Sequence, residues 1–419
     1  MTKVFSKSAL FRDIHYEPHP GQRAIHESTA SRRIVACGVR WGKSLCAAME
    51  ALAAAMEPKP RSTGWIVGPT YDLSDKIYRE LIVVVAERLR HRIVTLRDNE
   101  KRLVLRNLSG GLSEIRGKSA DNPISLLGEG LDWLIIDEAA RLKPTIWEGH
   151  LSQRLIDKRG WALLISTPRG KGYFYDLFRR GQGQDPDYAS WNYPSWTNPH
   201  LNPHLIEEER SRIPERTFRQ EYAAEFIEGS GQVFRNVREC ATGEWEEPRK
   251  DEYYYAGLDL AKVEDFTVLV VLSRDRRVVF SDRFHRMDWA FQVNRIKATL
   301  DRYRAQAFVD STGVGEPVFE SLRRAGVYAL PYAFTAKSKA AIVDNLSLLL
   351  EQKLITLPRP DLWPEGIDEL ESFEYSVSDS GNVRTGSPTG FHDDVVIALA
   401  LAAWHLRPGR GMPRILSLD

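Results

Sequence analysis

The pattern of apolar and polar positions divides the chain into two runs of strands and helices. Short apolar stretches at Arg33–Cys37, Trp65–Val67, Leu131–Ile136 and Ala162–Ile165 are bounded by polar or turn residues, as buried strands are. Between them, Leu45–Met56 is Ala-rich and stops ahead of Pro58, and Asp75–Leu89 reads as a second helix. Strands alternating with helices predict a mostly parallel sheet covered by helices. From about 192 to 250 the texture changes. Asn198-Pro199, Asn202-Pro203 and a charged patch from Glu244 to Glu252 predict a helical subdomain followed by a linker. Beyond it, Tyr253–Leu258, Thr267–Leu272 and Arg277–Phe284 follow one another closely enough to predict antiparallel hairpins. A helix at Trp289–Tyr303, a strand at Ala307–Val309 and a helix at Glu316–Arg324 continue a second α/β region. The expected division is an α/β core over 1–190, a helical lid and linker over 191–250, a second α/β domain over 251–406 and a short basic tail over 407–419.

Composition narrows the class without naming a function. The 419 residues are 42% hydrophobic and 27% charged, the balance of a globular protein of two or three domains. Lys plus Arg is 58 against 57 for Asp plus Glu, so any nucleic-acid contact must use local basic grooves rather than bulk charge. Three cysteines cannot build a disulfide framework and fit a reducing compartment. No stretch approaches the roughly 18 uninterrupted apolar residues of a membrane span, and the opening residues lack the apolar core of a signal peptide. Membrane, secreted and fibrous readings are excluded.

The first chemical signal is Cys37-Gly38-Val39-Arg40-Trp41-Gly42-Lys43-Ser44, set between an apolar strand and an Ala-rich helix. A phosphate-binding loop needs small residues that let backbone N–H groups face the phosphates. It also needs a Lys for the β/γ charge, a hydroxyl for Mg²⁺ and a helix start behind it. Gly42, Lys43 and Ser44 supply these, with Gly38 one place later than the first glycine of the usual pattern, where Cys37 stands. The partner signal is Leu131–Glu138, an apolar strand ending in Asp137 and Glu138. Asp137 suits the Mg²⁺ shell, and Glu138 is placed to polarise an attacking water. A third strand runs into Ser166-Thr167-Pro168, polar residues placed to sense the γ-phosphate. Upstream, Gln22 offers an amide donor and acceptor for an adenine edge.

The second region carries spaced carboxylates instead. Asp259 and Asp310 end two strands, and His392-Asp393-Asp394 opens an apolar helix. If they converge, the cluster is charged enough to need divalent cations, and two carboxylate-held cations are the apparatus for cleaving phosphodiesters. Asp265 is a further candidate ligand for the second ion.

Taken together, these motifs resemble the large subunit of tailed-bacteriophage terminases, over nearly the whole chain. The resemblance implies an additional-strand P-loop ATPase domain followed by an RNase H-like nuclease domain, with a small lid between them. Gln22 matches the family's adenine motif, Cys37–Ser44 with Arg40 its variant Walker A loop, Asp137-Glu138 its Walker B, and Ser166-Thr167-Pro168 its coupling motif. Asp259, Asp310, Asp393 and Asp394 match its nuclease acids. It further implies ATP with Mg²⁺ in the first domain and two Mg²⁺ or Mn²⁺ in the second. The implied partners are double-stranded DNA, the portal of a procapsid, a small subunit and further copies in a ring, all in the host cytoplasm. One departure stands out. Many relatives carry an Arg just ahead of the Gly-x-Gly-Leu-Asp stretch, where this chain has Leu127. Arg40 and Arg116 are the two candidates to meet the γ-phosphate charge instead. Two other readings compete: a repair ATPase fused to a resolvase-like nuclease, and a DNA-holding switch whose acids are structural.

Overall fold

The computed structural model describes residues 5–228, 231–260, 266–285, 287–310, 315–377, 383–388 and 392–407. The chain forms two compact units, one built from Met1–Arg210 and Arg216–Gly229, the other mainly from Ser230–Val377 and Val383–Asp419.

The first unit is organised on eight strands: β1 (Arg32–Cys37), β2 (Arg61–Gly68), β3 (Ile93–Arg97), β4 (Arg102–Arg106), β5 (Leu112–Ser119), β6 (Trp133–Ile136), β7 (Trp161–Ser166) and β8 (Tyr188–Tyr193). Their order across the sheet is β3-β4-β5-β2-β6-β7-β1-β8. Pairing is parallel from β5 to β8 and antiparallel only for β3 and β4 at one edge. Strand β7 lies between β1 and β6, so the phosphate-loop strand and the Asp-Glu strand share a neighbour. This is the additional-strand arrangement. Alternate residues of the central strands feed two cores. Val35, Ile66, Ile135 and Ile165 face one, and Ile34, Val67, Ile136 and Leu164 face the other. Helix α1 (Lys7–Asp13), helix α2 (Pro20–Glu27), helix α3 (Lys43–Met56) and helix α4 (Tyr71–Arg88) come early in this unit.

Helix α3 carries a fully buried acid, Glu50. It accepts from Arg33 Nη1 at 2.6 Å, His26 Nδ1 at 2.7 Å and Lys7 Nζ at 2.9 Å, tying the N-terminal helices and β1 to the helix behind the loop. Burial alone would raise the Glu50 pKa, but Arg33, the His26 hydrogen bond and Lys7 outweigh it and hold the carboxyl well below the ordinary range. A depressed folded-state pKa means this stabilisation is present at neutral pH and fades as pH falls below the ordinary carboxylate range. Glu50→Gln should cost about 3–5 kcal/mol at pH 7 by leaving buried cations uncompensated, measured by denaturant unfolding. The gap from wild type should narrow in acid.

Two expectations are corrected here. The boundary at 190 falls inside β8, which pairs with β1 along its whole length. Its sequence, with Ser190 and Asn192 between aromatic residues, lacks an apolar run because it is an edge strand. The segment 231–250 is not a linker. It contributes β9 (Gly231–Gln232), a short helix Val237–Cys240 and β10 (Ala241–Gly243), and it buries Val233, Phe234, Val237 and Cys240 in the second unit's core.

That unit holds a five-stranded sheet of β11 (Tyr254–Asp259), β12 (Thr267–Ser273), β13 (Val278–Phe284), β14 (Ala305–Asp310) and β15 (Ala329–Tyr332) in the order β13-β12-β11-β14-β15. The first three pair antiparallel as expected, and β14 and β15 are parallel additions. Helix Trp289–Tyr303 packs on one face; helices Ala336–Glu351 and Asp394–Trp404 pack on the other. At Gly257 the last of these comes within backbone distance, since a Cβ there would sit 1.9 Å from the Ala398 carbonyl oxygen.

Candidate active sites

In the first unit the parallel register sets Ala36 beside Ser166 and Ile136 beside Leu164. The residues that follow, Cys37, Asp137-Glu138 and Thr167, therefore leave the sheet at one edge. The loop from β1 turns on Arg40 (φ 61°) and Gly42 (φ 98°) and starts α3 at Lys43. A helix start leaves its first N–H groups without helical partners, and this end of the dipole favours anions. Lys43 Nζ donates to Thr167 Oγ1 at 3.3 Å and lies 3.9 Å from Glu138 Oε1. Glu138 adopts left-handed backbone (φ 48°), strained for a non-Gly residue and typical of functional positions. Its Oε2 faces Arg141 Nε at 3.4 Å and Ser166 Oγ at 3.5 Å. Asp137 is buried, and burial, reinforced by the Glu138 charge, pushes its pKa up to about 7. Lys43 pulls it back, and an added cation would do so further.

The loop is braced from outside. Ser195 Oγ donates to the Val39 carbonyl at 2.6 Å, Asn198 Nδ2 to the Arg40 carbonyl at 2.9 Å, and Val39 N donates to the Glu221 carbonyl at 2.7 Å. Gly38 is required because a Cβ there would lie 2.4 Å from Ser195 Oγ. The stretch expected to be lid thus partly forms the loop's wall.

Gln22 sits at this site, but its amide is engaged by the chain: Nε2 donates to the Gly42 carbonyl at 3.1 Å and Oε1 accepts from His19 N at 3.2 Å. Ser44 lies beside Lys43 at the start of α3. Of the two arginines considered for the γ-phosphate, Arg40 is exposed in the loop. Arg116 is not brought there. It sits in β5, with β2, β6 and β7 between it and β1, and Glu114 at 2.7 Å and Glu129 at 3.6 Å hold its guanidinium. Leu127 is half exposed. Sequence reading passed over Arg141 and Arg169, which lie close to Glu138; each is one short turn past a motif that was read.

The second unit brings four of its expected acids together. Leu258 pairs with Val309, so Asp259 and Asp310 end adjacent parallel strands side by side. Asp393 caps helix Asp394–Trp404, which lies across them. Asp259 is half-buried, and burial first, then Asp394, Asp310 and Asp393, holds its carboxyl well above the ordinary range. Asp393 Oδ2 is drawn to Lys339 Nζ at 3.1 Å, and Asp394 Oδ2 lies 3.6 Å from His392 Nδ1. No three His, Cys, Asp or Glu among the described residues already form a metal-binding group. Asp265 lies outside the described residues. A fifth acid was missed: buried Glu369, which accepts from Val395 N at 2.9 Å and pairs with Arg283 at 3.0 Å. Burial, opposed by Arg283, pushes its pKa up to about 7. It anchors the helix start that presents Asp394. No local motif marks it, since it lies within an ordinary amphipathic helix.

A phosphate loop on an additional-strand sheet, followed by a five-stranded RNase H-like sheet with clustered acids, defines a chain that joins a P-loop ATPase to a nuclease. Family models match both parts: "Terminase large subunit, T4likevirus-type, N-terminal" over residues 34–239 and "Terminase RNaseH-like domain" over 256–406. The terminase large subunit of Thermus virus P23-45 is 34% identical over 441 residues, covering 96% of this chain and 90% of that one. Among solved structures, a full-length large terminase from a thermophilic bacteriophage is similar in fold, with a TM-score of 0.57 at 13% identity over 96% of this chain and 100% of that one. The large terminase nuclease of the thermophilic phage G20c with bound magnesium is 29% identical, covering 41% of this chain and 96% of that one at a TM-score of 0.38. The chain belongs to the terminase large subunit family, and carries that family's ATPase and nuclease domains. No helix among the described residues is long and apolar enough to cross a membrane.

Proposed function

We propose that this chain is the motor and cutter of viral genome packaging, hydrolysing ATP to drive double-stranded DNA into a procapsid and cleaving concatemeric DNA. The observation that carries the reading is the pairing on one chain of the Lys43–Thr167–Glu138 assembly with the converging acids Asp259, Asp310, Asp393 and Asp394. In the first unit Lys43 would meet the β/γ-phosphates, and Ser44 and Asp137 would hold Mg²⁺. Glu138, released from Lys43 by the incoming phosphates, takes the proton of the attacking water. Thr167 loses its Lys43 partner when the phosphates bind and reports their presence along β7. Arg40 reaches the nucleotide from the exposed side of the loop. Gln22 shapes the loop by holding the Gly42 carbonyl, with one amide hydrogen left for the base.

In the second unit the donor set is all carboxylate oxygen, the chemistry hard divalent cations take. A half-buried Asp259 among three further acids, with Lys339 only partly offsetting them, is the charge imbalance such cations resolve. Two Mg²⁺ or Mn²⁺ would supply an activated water and a stabilised leaving oxygen. Asp259 and Asp310 hold their positions from strand ends, and Asp393 and Asp394 approach from the helix start. Portal, small subunit and further copies in a ring are the partners this reading implies.

The test is a fragment. One beginning at residue 231 keeps Val233, Phe234 and Val237 in its core and should fold and nick plasmid DNA with Mn²⁺ in the absence of ATP. One beginning at 251 should be insoluble or molten. A folded 231 fragment that leaves DNA intact at millimolar Mn²⁺ would count against the nuclease assignment.

A further inference from the structure

Arg116 is held by Glu114 and Glu129, away from the phosphate loop. The loop after β7 contains another guanidinium, on Arg169. Both ends of that loop are fixed at the site. Thr167 Oγ1 accepts from Lys43 Nζ at 3.3 Å, and Tyr173 OH donates to the Ala139 carbonyl at 2.5 Å, one residue past Glu138. Between these anchors the chain turns on Gly170 (φ 55°). Arg169 is half-buried, and its Nε is enclosed without a hydrogen-bond partner among the described residues. The charges around it are Arg141, Glu221 and Glu138. Two of these are committed: Arg141 Nε lies 3.4 Å from Glu138 Oε2. The third, Glu221, puts a carboxylate near Arg169, with no hydrogen bond between the two among the described residues.

A desolvated guanidinium beside a second one, with no anion bonded to it, is costly in isolation. Burial, then Arg141, lowers its pKa. Surface arginines escape this by reaching water, and structural ones by pairing, as Arg33 does with Glu50. Arg169 has no such pair among the described residues, and its enclosed Nε is short of one acceptor. Lys43, at the start of α3, reaches the base of this loop through Thr167.

We propose that the acceptor it lacks is the γ-phosphate of the bound nucleotide, and that Arg169 supplies in cis a cation that meets the γ-phosphate charge. The proposal rests on the ATPase reading and deepens it. Arg169 bonds oxygens present in a nucleoside triphosphate and absent from a diphosphate. Its position after Ser166-Thr167 also makes β7 the element that feels the loss of the γ-phosphate after hydrolysis.

The experiment compares affinities of the full chain for Mg²⁺ with ADP and for Mg²⁺ with AMP-PNP, by titration calorimetry, in wild type, Arg169→Ala and Arg169→Lys. A charge-assisted hydrogen bond is worth roughly tenfold or more in affinity. The preference for AMP-PNP over ADP should therefore fall about tenfold or more in Arg169→Ala, with ADP affinity kept. ATP turnover should fall on the order of 10²–10³-fold, as on removal of a preorganised donor to developing charge. Arg169→Lys should recover part of the triphosphate preference and little of the turnover. An unchanged AMP-PNP to ADP ratio overturns the proposal. So does equal loss of both ligands, which would mark Arg169 as structural. A wild-type chain that binds neither nucleotide would instead refute the ATPase reading itself.

Discussion

Glu138→Gln should bind ATP with near wild-type affinity and turn it over about 10³-fold more slowly, within the range that general-base catalysis contributes. Glutamine keeps the shape and the hydrogen bond from Ser166 but cannot take a proton. The substitution also removes the charge that Lys43 and Arg141 face at 3.9 and 3.4 Å. Both cations then turn more readily to phosphate, so nucleotide affinity should hold or rise while turnover collapses. Lys43→Ala should differ in kind: with no cation at the β/γ position, affinity and turnover fall together. Phosphate release under saturating ATP separates the two variants. Wild-type turnover in Glu138→Gln would show that another group activates the water.

Asp259→Asn and Asp310→Asn should each abolish DNA cleavage while leaving ATP hydrolysis at the wild-type rate. The loss should exceed the roughly 100-fold that removing an outer-shell partner costs at a metal site, because both residues are assigned as direct ligands. Asp259 is the more telling of the two. It is half-buried, and its pKa is raised by burial and by three neighbouring carboxylates. In the absence of metal its neutralisation should therefore stabilise the second unit slightly. A variant that melts higher in chelator yet cuts nothing in Mn²⁺ separates a site strained for function from one kept for folding. Cleavage retained by both variants would move the nuclease centre elsewhere. Loss of ATP hydrolysis alongside cleavage would show that the two sites are not independent.

Much of the candidate site was legible because its residues sit at the ends of regular elements. Gly42-Lys43-Ser44 and Asp137-Glu138 each sit where an apolar strand ends, so a reader of periodicity meets the strand and the chemistry together. The acids of the second unit were legible for the same reason, two at strand ends and two at a helix start. What escaped was built from distance. Strand β8 is an edge strand whose partner, β1, lies about 150 residues earlier, and its polar alternation carries no apolar signal. The β3–β4 hairpin is hidden among charges from Arg97 to Arg102 and leaves Val94 and Leu96 exposed. Glu369 acts on a helix that starts 25 residues later, and only the fold reveals that it reaches Val395 N. The stretch 231–250 looked like a linker because its charges outnumber its apolar residues, yet Val233, Phe234, Val237 and Cys240 are enough to seat it in the core.

The approach of helix Asp394–Trp404 to Gly257 has a bearing on the chemistry two residues further on. Asp259 rides on the same strand, and Asp393 and Asp394 ride on the helix that Gly257 admits. The separation of the acids is thus gauged by an atom that is not there. Position 257 works as a spacer of zero thickness: it sets how far the strand that bears Asp259 stands from the helix that bears Asp394. The calibre of the blade is held by a residue with no chemistry of its own.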